Sequence, residues 1–264
     1  MNLELKGKRA LVTGSTAGIG FATARLLAAE GASVIINGRT QKRVDDAIAS
    51  IKNDIPDAGV FGVAADLSTA TRCYDLVAQV PDVDILVNNL GVYSLQAFEN
   101  ISDGEWFRLF ETNVMSGVRL SRAYLPGMRG RNWGRIVFVS SESGLQIPAE
   151  MIHYGMTKTA QLAIARGLAE TTLGSGVTVN SILPGPTSSE ALASFVARRA
   201  ESEGVDAAVI EREFFTTVRP TSLLQRFTTP DEVAAMVVYV CSSLASATNG
   251  ASLRVDGGVV RAIA

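Results

Sequence analysis

A tyrosine and a lysine lie four residues apart in a segment that could carry out proton chemistry. Tyr154 and Lys158 fall in an apolar-periodic run that predicts a helix, so their side chains share one helix face. Ser141 follows a short apolar run at 136–139 that predicts a buried strand. A phenol, an ammonium and a hydroxyl on one wall could move a proton to or from a substrate oxygen. By itself, a tyrosine–lysine pair at this spacing is usually a surface pair.

A glycine-rich turn follows the first predicted strand and opens a helix. Its residues are Thr13, Gly14, Ser15, Thr16, Ala17, Gly18, Ile19 and Gly20. Glycines at such a turn let the backbone approach a pyrophosphate, which binds at the helix N-terminus. The spacing is G-x-x-x-G-x-G and not G-x-G-x-x-G, so a plain tight turn is the alternative. Its position after the first strand favours dinucleotide binding.

The end of the second predicted strand indicates which dinucleotide binds. A carboxylate there would bind the 2′-hydroxyl of NAD, whereas an arginine would bind the 2′-phosphate of NADP. No acidic residue occurs between Gly31 and Val44, and Arg39 lies at the right position. The sequence therefore favours NADP and leaves NAD possible. The alternative is a solvated arginine that precedes a helix.

Strand-like and helix-like patterns alternate along the chain. This alternation predicts an α/β fold, a doubly wound parallel sheet of about seven strands with helices on both faces. No linker or repeat divides the sequence, so we expect a single domain over residues 1–264. The segment at about 186–228 lacks a strand pattern and predicts an insertion that covers the substrate.

The composition argues against several classes of function. The 24 basic and 26 acidic residues form no basic stripe, which argues against a nucleic-acid partner. Two separated cysteines and a single histidine suggest neither a disulfide framework nor a metal site. No apolar run has the length of a membrane span, and the N-terminus lacks a signal-peptide core. We expect a cytoplasmic protein without a membrane partner.

Taken together, the glycine spacing, Ser141, Tyr154 and Lys158 make the sequence resemble the short-chain dehydrogenase/reductase family over nearly its whole length. The likeness is to the single-domain branch, which includes 3-oxoacyl-ACP-reductase-like members. Further matching segments are Asp66-Leu67, Asn88-Asn89-Leu90-Gly91, Asn113, Pro184-Gly185, Thr187 and Asp256-Gly257-Gly258. The resemblance implies a Rossmann-type fold, an NAD(P)-dependent oxidoreductase and a homotetramer.

The residues expected at the site fall into two groups. Those expected in catalysis are Asn113, Ser141, Tyr154 and Lys158. Those expected to bind the cofactor are Gly14, Ser15, Thr16, Gly18, Ile19, Gly20, Arg39, Asp66, Leu67, Asn89, Gly91, Tyr154, Lys158, Pro184, Gly185 and Thr187. No metal is expected.

These roles imply hydride transfer between the nicotinamide and a carbonyl or secondary alcohol. Tyr154 would be the general acid in reduction and the base in oxidation. Lys158 should lower the pKa of this phenol from its ordinary value of about 10. Ser141 would hydrogen-bond the substrate oxygen. Asn113 would support a water that relays protons to Lys158.

The sequence departs from the family pattern at two positions near the cofactor. Leu90 replaces the usual alanine, a small steric change. Ala17 stands where NADP-dependent relatives often carry a basic residue, so the 2′-phosphate would depend largely on Arg39. Beside the expected catalytic residues, we expect His153 to pack or hydrogen-bond, and Glu142 to be solvated or paired within the structure.

The expected substrate wall is mostly apolar. Its members would be Tyr93, Leu145, Ile147, Met151, Phe195 and Phe214. They favour a medium-sized ketone or secondary alcohol, including 3-oxoacyl thioesters. One alternative is a non-catalytic NAD(P)-sensing protein, although such proteins typically lose the tyrosine or lysine. Another is a sugar-nucleotide epimerase or dehydratase, which usually has a longer C-terminal domain and G-x-x-G-x-x-G spacing.

Overall fold

In the part of the chain that the structure describes, seven parallel strands form one sheet. The computed structural model describes residues 2–263, apart from the side chains of residues 190, 191 and 195. The strands are β1 (Arg9–Val12), β2 (Ser33–Gly38), β3 (Val60–Ala64), β4 (Ile85–Asn88), β5 (Gly134–Val139), β6 (Val177–Pro184) and β7 (Ser252–Val255). Their order is β3-β2-β1-β4-β5-β6-β7, and all neighbours are parallel. The predicted α/β fold is confirmed.

Helices cover both faces of the sheet. They are α1 (Gly18–Ala29), α2 (Gln41–Asp54), α3 (Ala70–Gln79), α4 (Asp103–Phe110), α5 (Ser116–Gly130), α6 (Ile152–Glu170), α7 (Glu190–Glu203), α8 (Ala207–Glu213) and α9 (Pro230–Cys241). Val12 and Ile36 pack with α1, α2 and α9, whereas Leu11 and Ile35 pack with α3, α5 and α6. This alternation explains why the strands are apolar on both faces. Within residues 2–263, we find no helix with the length and apolar character that a membrane crossing needs.

The order of the strands reverses between β1 and β4. Val12 of β1 lies opposite Ile36 of β2 on one side and Val87 of β4 on the other. The loops after β1 and β4 therefore leave the same edge and diverge. Such a crevice, at the carboxyl ends of parallel strands, is where doubly wound sheets bind their ligands. The loops after β5 and β6 border the same edge.

The helix predicted around Asn113 contains a wider turn. A π-helical turn spans Glu111–Met115 between α4 and α5, so the single helix predicted over about 103–128 is interrupted. Gln161 Nε2 donates a hydrogen bond to the main-chain oxygen of Asn113 at 2.6 Å. Outside donors that enter the helical ladder accompany such distortions, and π turns occur frequently at functional sites.

The segment between β6 and α9 is helical and is held at both ends. The Ser189 side chain caps α7 by accepting from Leu192 N, and Asp206 caps α8. A π-helical turn, Phe214–Val218, follows α8. Near the two ends of the segment, Thr187 and Thr228 form an isolated parallel bridge. No regular strand forms in this interval of the described chain, as the sequence predicts.

Candidate active site

The loop after β5 packs directly on α6 and brings Ser141 beside Tyr154. Thr159 Oγ1 donates to the Gly144 carbonyl oxygen at 2.8 Å and so ties the loop to the helix. A Cβ at Gly144 would lie 3.0 Å from the carbonyl carbon of Lys158, so this close approach favours glycine. The Ser141 hydroxyl lies beside the Tyr154 phenol. Loop and helix together place the predicted hydroxyl, phenol and ammonium on one wall.

Lys158 is a buried member of this wall. Its Nζ lies 5.5 Å from the centroid of the Tyr154 ring. The ammonium donates to Val139 O at 2.9 Å and to Gln161 Oε1 at 3.3 Å. Burial lowers the pKa of Lys158 to about 8, and the Glu142 carboxylate opposes that shift. The pKa of Lys158 therefore lies just above neutral pH.

The pKa of Tyr154 moves in the direction opposite to the prediction. Burial is the largest cause and raises this pKa above its ordinary value; the Glu142 carboxylate raises it further. A hydrogen bond with Ser141 opposes the shift. Burial outweighs the contacts that favour the phenolate, so the net shift is upward, and the separate effect of Lys158 on this pKa stays a prediction. The phenol is held in its protonated form.

Asn113 joins the loop after β4 to α6. Its Oδ1 accepts from Val92 N at 2.8 Å, and its Nδ2 donates to Val92 O at 2.9 Å and Thr157 Oγ1 at 3.0 Å. A Cβ at Gly91 would lie 3.3 Å from Lys158 Nζ and 3.9 Å from Asn113 Oδ1. Asn113, Gly91 and Lys158 therefore meet at one point, although their segments are far apart in sequence.

Gln161, which was not among the predicted site residues, links Lys158 to Asn113. Its Oε1 accepts from Lys158 Nζ, and its Nε2 donates to Asn113 O. The side chain is fully buried, at 1% exposure. An amide thus connects the two groups directly, where the family resemblance implies a water. The available signal was a polar residue three positions after Lys158, on the same helix face.

Glu142 is a buried carboxylate in the same wall. Its Oε2 accepts from Ser141 Oγ at 2.5 Å and from Ser143 N at 2.9 Å. Its Oε1 accepts from Arg219 Nε at 3.1 Å, and both side chains of this ion pair are almost entirely buried. Glu142 is thus paired, one of the two environments expected for it. Arg219 comes from the segment between β6 and α9 and was not among the predicted site residues.

A second cleft lies at the ends of β1, β2, β3 and β4. Seven of the residues predicted to bind the cofactor line it: Gly14, Thr16, Arg39, Asp66, Leu67, Asn89 and Gly91. The cleft therefore gathers the loops that follow four adjacent strands. Within residues 2–263, we find no cluster of three or more histidine, cysteine or acidic side chains that could hold a metal ion.

The glycine turn forms a tight cradle at one end of this cleft. Gly14 and Gly18 adopt positive φ angles of 60° and 56°. A Cβ at Gly20 would lie only 2.5 Å from the Gly14 carbonyl oxygen, so the turn folds back closely on the start of α1. Ala17 precedes α1 without a capping side chain. Helix N–H groups free of a side-chain cap suit an anion such as a pyrophosphate.

Asn37 fastens the glycine turn to the sheet. Its Oδ1 accepts from Gly14 N at 3.2 Å, and its Nδ2 donates to Val63 O at 3.2 Å and Ala65 O at 3.1 Å. Ser15 Oγ accepts from Asn37 N at 3.0 Å and donates to Val12 O at 2.7 Å. The Ser15 side chain is therefore engaged inside the protein. Ile19 lies in the first turn of α1, half-buried.

Two arginines border the cleft beside the end of β2. Arg39 and Arg43 are both exposed and both line it. Arg43 is brought there by the start of α2, where the Thr40 side chain caps the helix. The sequence predicts a 2′-phosphate site that depends largely on Arg39, at the end of the strand. Arg43, at the start of the next helix, was not predicted and lines the same cleft.

The last three predicted cofactor residues lie at the end of β6. Pro184 ends the strand and Gly185 follows it; a Cβ at Gly185 would lie 2.6 Å from the Asp256 carbonyl oxygen. Thr187 Oγ1 donates to Gly185 O at 3.0 Å and lies 2.9 Å from Thr228 Oγ1. These residues share the carboxyl edge of the sheet with Ser141, but they do not line the cleft around Arg39.

Comparison with known proteins identifies the family. The profile of the short chain dehydrogenase family matches residues 8–200. The chain belongs to this family. It is 46% identical to the uncharacterized oxidoreductase YvaG of Bacillus subtilis, over 100% of both chains. It is 36% identical to the D-beta-hydroxybutyrate dehydrogenase of Cupriavidus necator, over 97% of this chain and 99% of that protein.

The structure also resembles solved members of the family. The crystal structure of L-sorbose reductase from Gluconobacter frateurii, complexed with NADPH and L-sorbose, superposes with a TM-score of 0.94. It is 30% identical, and the alignment covers 100% of both chains. The predicted family membership and Rossmann-type fold are therefore confirmed.

In this short-chain dehydrogenase, His153 has a structural environment. It is buried; its Nε2 lies 2.9 Å from Ser94 Oγ, and its ring meets Trp106 edge-on. Burial lowers its pKa below the ordinary value, although the Glu105 carboxylate opposes this shift. The expectation that His153 packs and hydrogen-bonds is confirmed.

Part of the expected apolar wall is open to solvent. Leu145 and Ile147 are each 48% exposed, and Tyr93 is 58% exposed with its ring centroid 6.0 Å from that of Tyr154. Phe214 instead packs against two other phenylalanines, 215 and 227, within its own segment. The side chain of Phe195 lies outside the described residues.

Proposed function

We propose that this protein is an NADP-dependent oxidoreductase that transfers a hydride between the nicotinamide and a carbonyl or secondary alcohol. The observation that carries the proposal is the meeting of two sites along one sheet edge. The wall formed by Ser141, Tyr154 and Lys158 adjoins Gly91, and Gly91 also lines the cleft that begins at the glycine turn. Family membership and the NADPH-bound sorbose reductase support this proposal.

The residues present fit a dinucleotide. Gly14, Gly18 and Gly20 provide a cradle in which the backbone can approach a pyrophosphate. Asp66 and Leu67 border the proposed adenine position, and Asn89 and Gly91 border the path towards Lys158. Pro184, Gly185 and Thr187 would hold the nicotinamide end. When bound, the cofactor supplies or accepts the hydride.

The 2′-phosphate is assigned to the two arginines. Arg39 and Arg43 present exposed guanidinium groups at the ribose end of the cleft, and a guanidinium matches phosphate geometry well. An acid at this position would instead favour NAD. Two arginines make NADP the preferred cofactor and leave weaker use of NAD possible.

Tyr154 is assigned the acid–base role. In reduction, its phenol donates a proton to the substrate oxygen as negative charge develops there; in oxidation, the phenolate takes the proton back. Ser141 lies beside the phenol and is placed to bond the same substrate oxygen. The Lys158 ammonium stabilises the phenolate and binds the nicotinamide ribose. Gln161 accepts from Lys158 and is itself held by Asn113 O, to which it donates.

We further propose a cytoplasmic homotetramer built on α5 and α6. A groove between these helices is lined by apolar side chains, including Val118, Leu125, Ile164 and Leu168. A second copy of the chain would cover them. We also propose that the chain is a single domain in which the segment at about 186–228 covers the substrate. Sedimentation that finds only monomer at micromolar concentration would contradict the tetramer.

A panel of carbonyl compounds tests the function. L-sorbose, acetoacetate and a 3-oxoacyl thioester are each offered with NADPH and with NADH, and the nicotinamide absorbance is followed. We expect turnover of at least one ketone, with a lower KM for NADPH than for NADH. Binding of NADPH without turnover of any ketone or alcohol would instead indicate a cofactor-sensing protein.

A further inference from the structure

The Ser141 hydroxyl has one proton and several neighbours that could accept it. In the structure this proton goes to Glu142 Oε2, at 2.5 Å. Ser141 Oγ also accepts from Ser143 N at 3.1 Å. As a donor, Ser141 would oppose the rise in the pKa of Tyr154. With its proton on Glu142, Ser141 Oγ can offer the phenol only a lone pair. A phenolate at Tyr154 would need the opposite arrangement, with Ser141 as donor.

Arg219 and two other donors satisfy the buried Glu142 carboxylate. An isolated carboxylate would be costly at 4% exposure, but its oxygens accept from Ser141 Oγ, Ser143 N and Arg219 Nε. Arg219 follows the π-helical turn Phe214–Val218, so the segment after β6 supplies the countercharge. The ion pair links that segment to the wall that holds Tyr154.

Four charged or titratable side chains surround the Tyr154 phenol. They are Glu142 from the loop after β5, Tyr93 from the loop after β4, Arg219 from the segment after β6, and Lys158 from α6 itself. Of these, Glu142 acts twice. Its negative charge opposes a phenolate, and its oxygen competes with Tyr154 for the Ser141 proton.

We propose that Glu142 and Arg219 are positioning residues that hold the Ser141 proton away from Tyr154 and thereby favour the protonated phenol. The protonated phenol is the form that donates to a substrate oxygen, so the pair biases the site towards carbonyl reduction at neutral pH. Arg219 limits this bias by offsetting part of the Glu142 charge. The inference rests on the proposed acid–base role of Tyr154.

Glu142→Gln and Arg219→Gln test the pair, because they shift the same titration in opposite directions. The assay measures kcat/KM against pH for the oxidation of an alcohol with NADP⁺. The alcohol is D-3-hydroxybutyrate or sorbitol, whichever the wild type oxidises. Activity rises as the phenol ionises. Glu142→Gln should move the midpoint down by about one pH unit, and Arg219→Gln should move it up. The double variant should fall between the wild type and Glu142→Gln.

Glu150→Gln is the matched control. Glu150 lies in the same loop but is exposed, so the same loss of charge should leave the midpoint unchanged. A second readout needs no substrate. The NMR signal of a carbon-13 label at tyrosine Cζ is followed against pH, and the Tyr154 signal is assigned by comparison with Tyr154→Phe. In the NADP⁺ complex, the Tyr154 signal should begin to shift at lower pH in Glu142→Gln than in the wild type.

The outcomes separate this inference from the proposed function. If Tyr154→Phe retains turnover, the acid–base assignment fails. If Tyr154→Phe is inactive but Glu142→Gln titrates like Glu150→Gln in both readouts, only the positioning role is overturned. Thermal melting identifies any variant that does not fold. If Glu142→Gln does not fold, the direction in which Arg219→Gln moves the pH midpoint tests the positioning role instead.

Discussion

Gln161 offers a test of how the buried lysine is held. Gln161→Leu keeps the size of the side chain but removes the acceptor for Lys158 Nζ and the donor to Asn113 O. A hydrogen bond to a buried charge contributes about 1.5 kcal/mol or more, and a neutral one about 1 kcal/mol. The loss of both predicts a free energy of unfolding lower by about 2–3 kcal/mol, and a melting temperature lower by about 5–10 °C.

The same substitution should change how activity depends on pH. The bond to Gln161 favours the charged lysine, and about 1.5 kcal/mol corresponds to about one pKa unit. In the wild type, burial already lowers the pKa of Lys158 to about 8. Function that needs the ammonium is lost as pH rises through this pKa. The alkaline limb of kcat/KM for ketone reduction should therefore move about one pH unit lower in Gln161→Leu.

Two further variants make this test selective. Gln161→Glu keeps the acceptor and adds a negative charge beside Lys158, so its alkaline limb should move to higher pH. Gln79→Leu makes the same change on the exposed face of α3 and should leave both the pH profile and the melting temperature nearly unchanged. If the alkaline limbs of Gln161→Leu and Gln161→Glu coincide with that of the wild type, Gln161 does not tune the lysine.

Three other predictions concern the cofactor cleft and the sheet beside it. Arg43→Ala should raise the Kd for NADPH about tenfold, as Arg39→Ala should, and leave that for NADH unchanged; equal effects on both cofactors would contradict the phosphate assignment. Asn37→Ala removes three side-chain hydrogen bonds, two of them buried, and should lower the free energy of unfolding in urea by about 3 kcal/mol and weaken NADPH binding. An unchanged free energy of unfolding and unchanged NADPH binding would mean that Asn37 does not stabilise the glycine turn. Gly62→Ala places a Cβ 2.2 Å from Val44 Cγ1 and should lower the free energy of unfolding by about 1–3 kcal/mol. Gly59→Ala is the control, because its Cβ would meet nothing closer than 3.6 Å. Equal stabilities of the two variants would refute the close packing at Gly62.

The fold was predictable because its signals are local and repeated. Strands apolar on both faces, separated by amphipathic helices, permit few architectures other than a covered parallel sheet. The glycine turn was predictable because its position in the first βα unit determines what it can bind. Ser141, Tyr154 and Lys158 were predictable as a group, since two share a helix face and the third follows the adjoining strand.

The partners of these residues were not predictable, because they come from distant parts of the chain. Arg219 meets Glu142 across 77 positions, and nothing in the sequence near either one specifies that contact. Gln161 reaches Asn113 across 48 positions and bonds its main chain, for which no side-chain pattern exists. The direction of the pKa shift of Tyr154 also depends on burial, which only the folded packing determines.

Turnover by Tyr154→Phe tests the central claim most directly. The variant lacks only the phenolic oxygen, so the fold and NADPH binding should be unchanged. We expect kcat for ketone reduction to fall by about 10²–10⁴-fold, the usual contribution of a general acid. If Tyr154→Phe retained near-normal turnover and bound NADPH as the wild type does, Tyr154 would not be the acid–base residue.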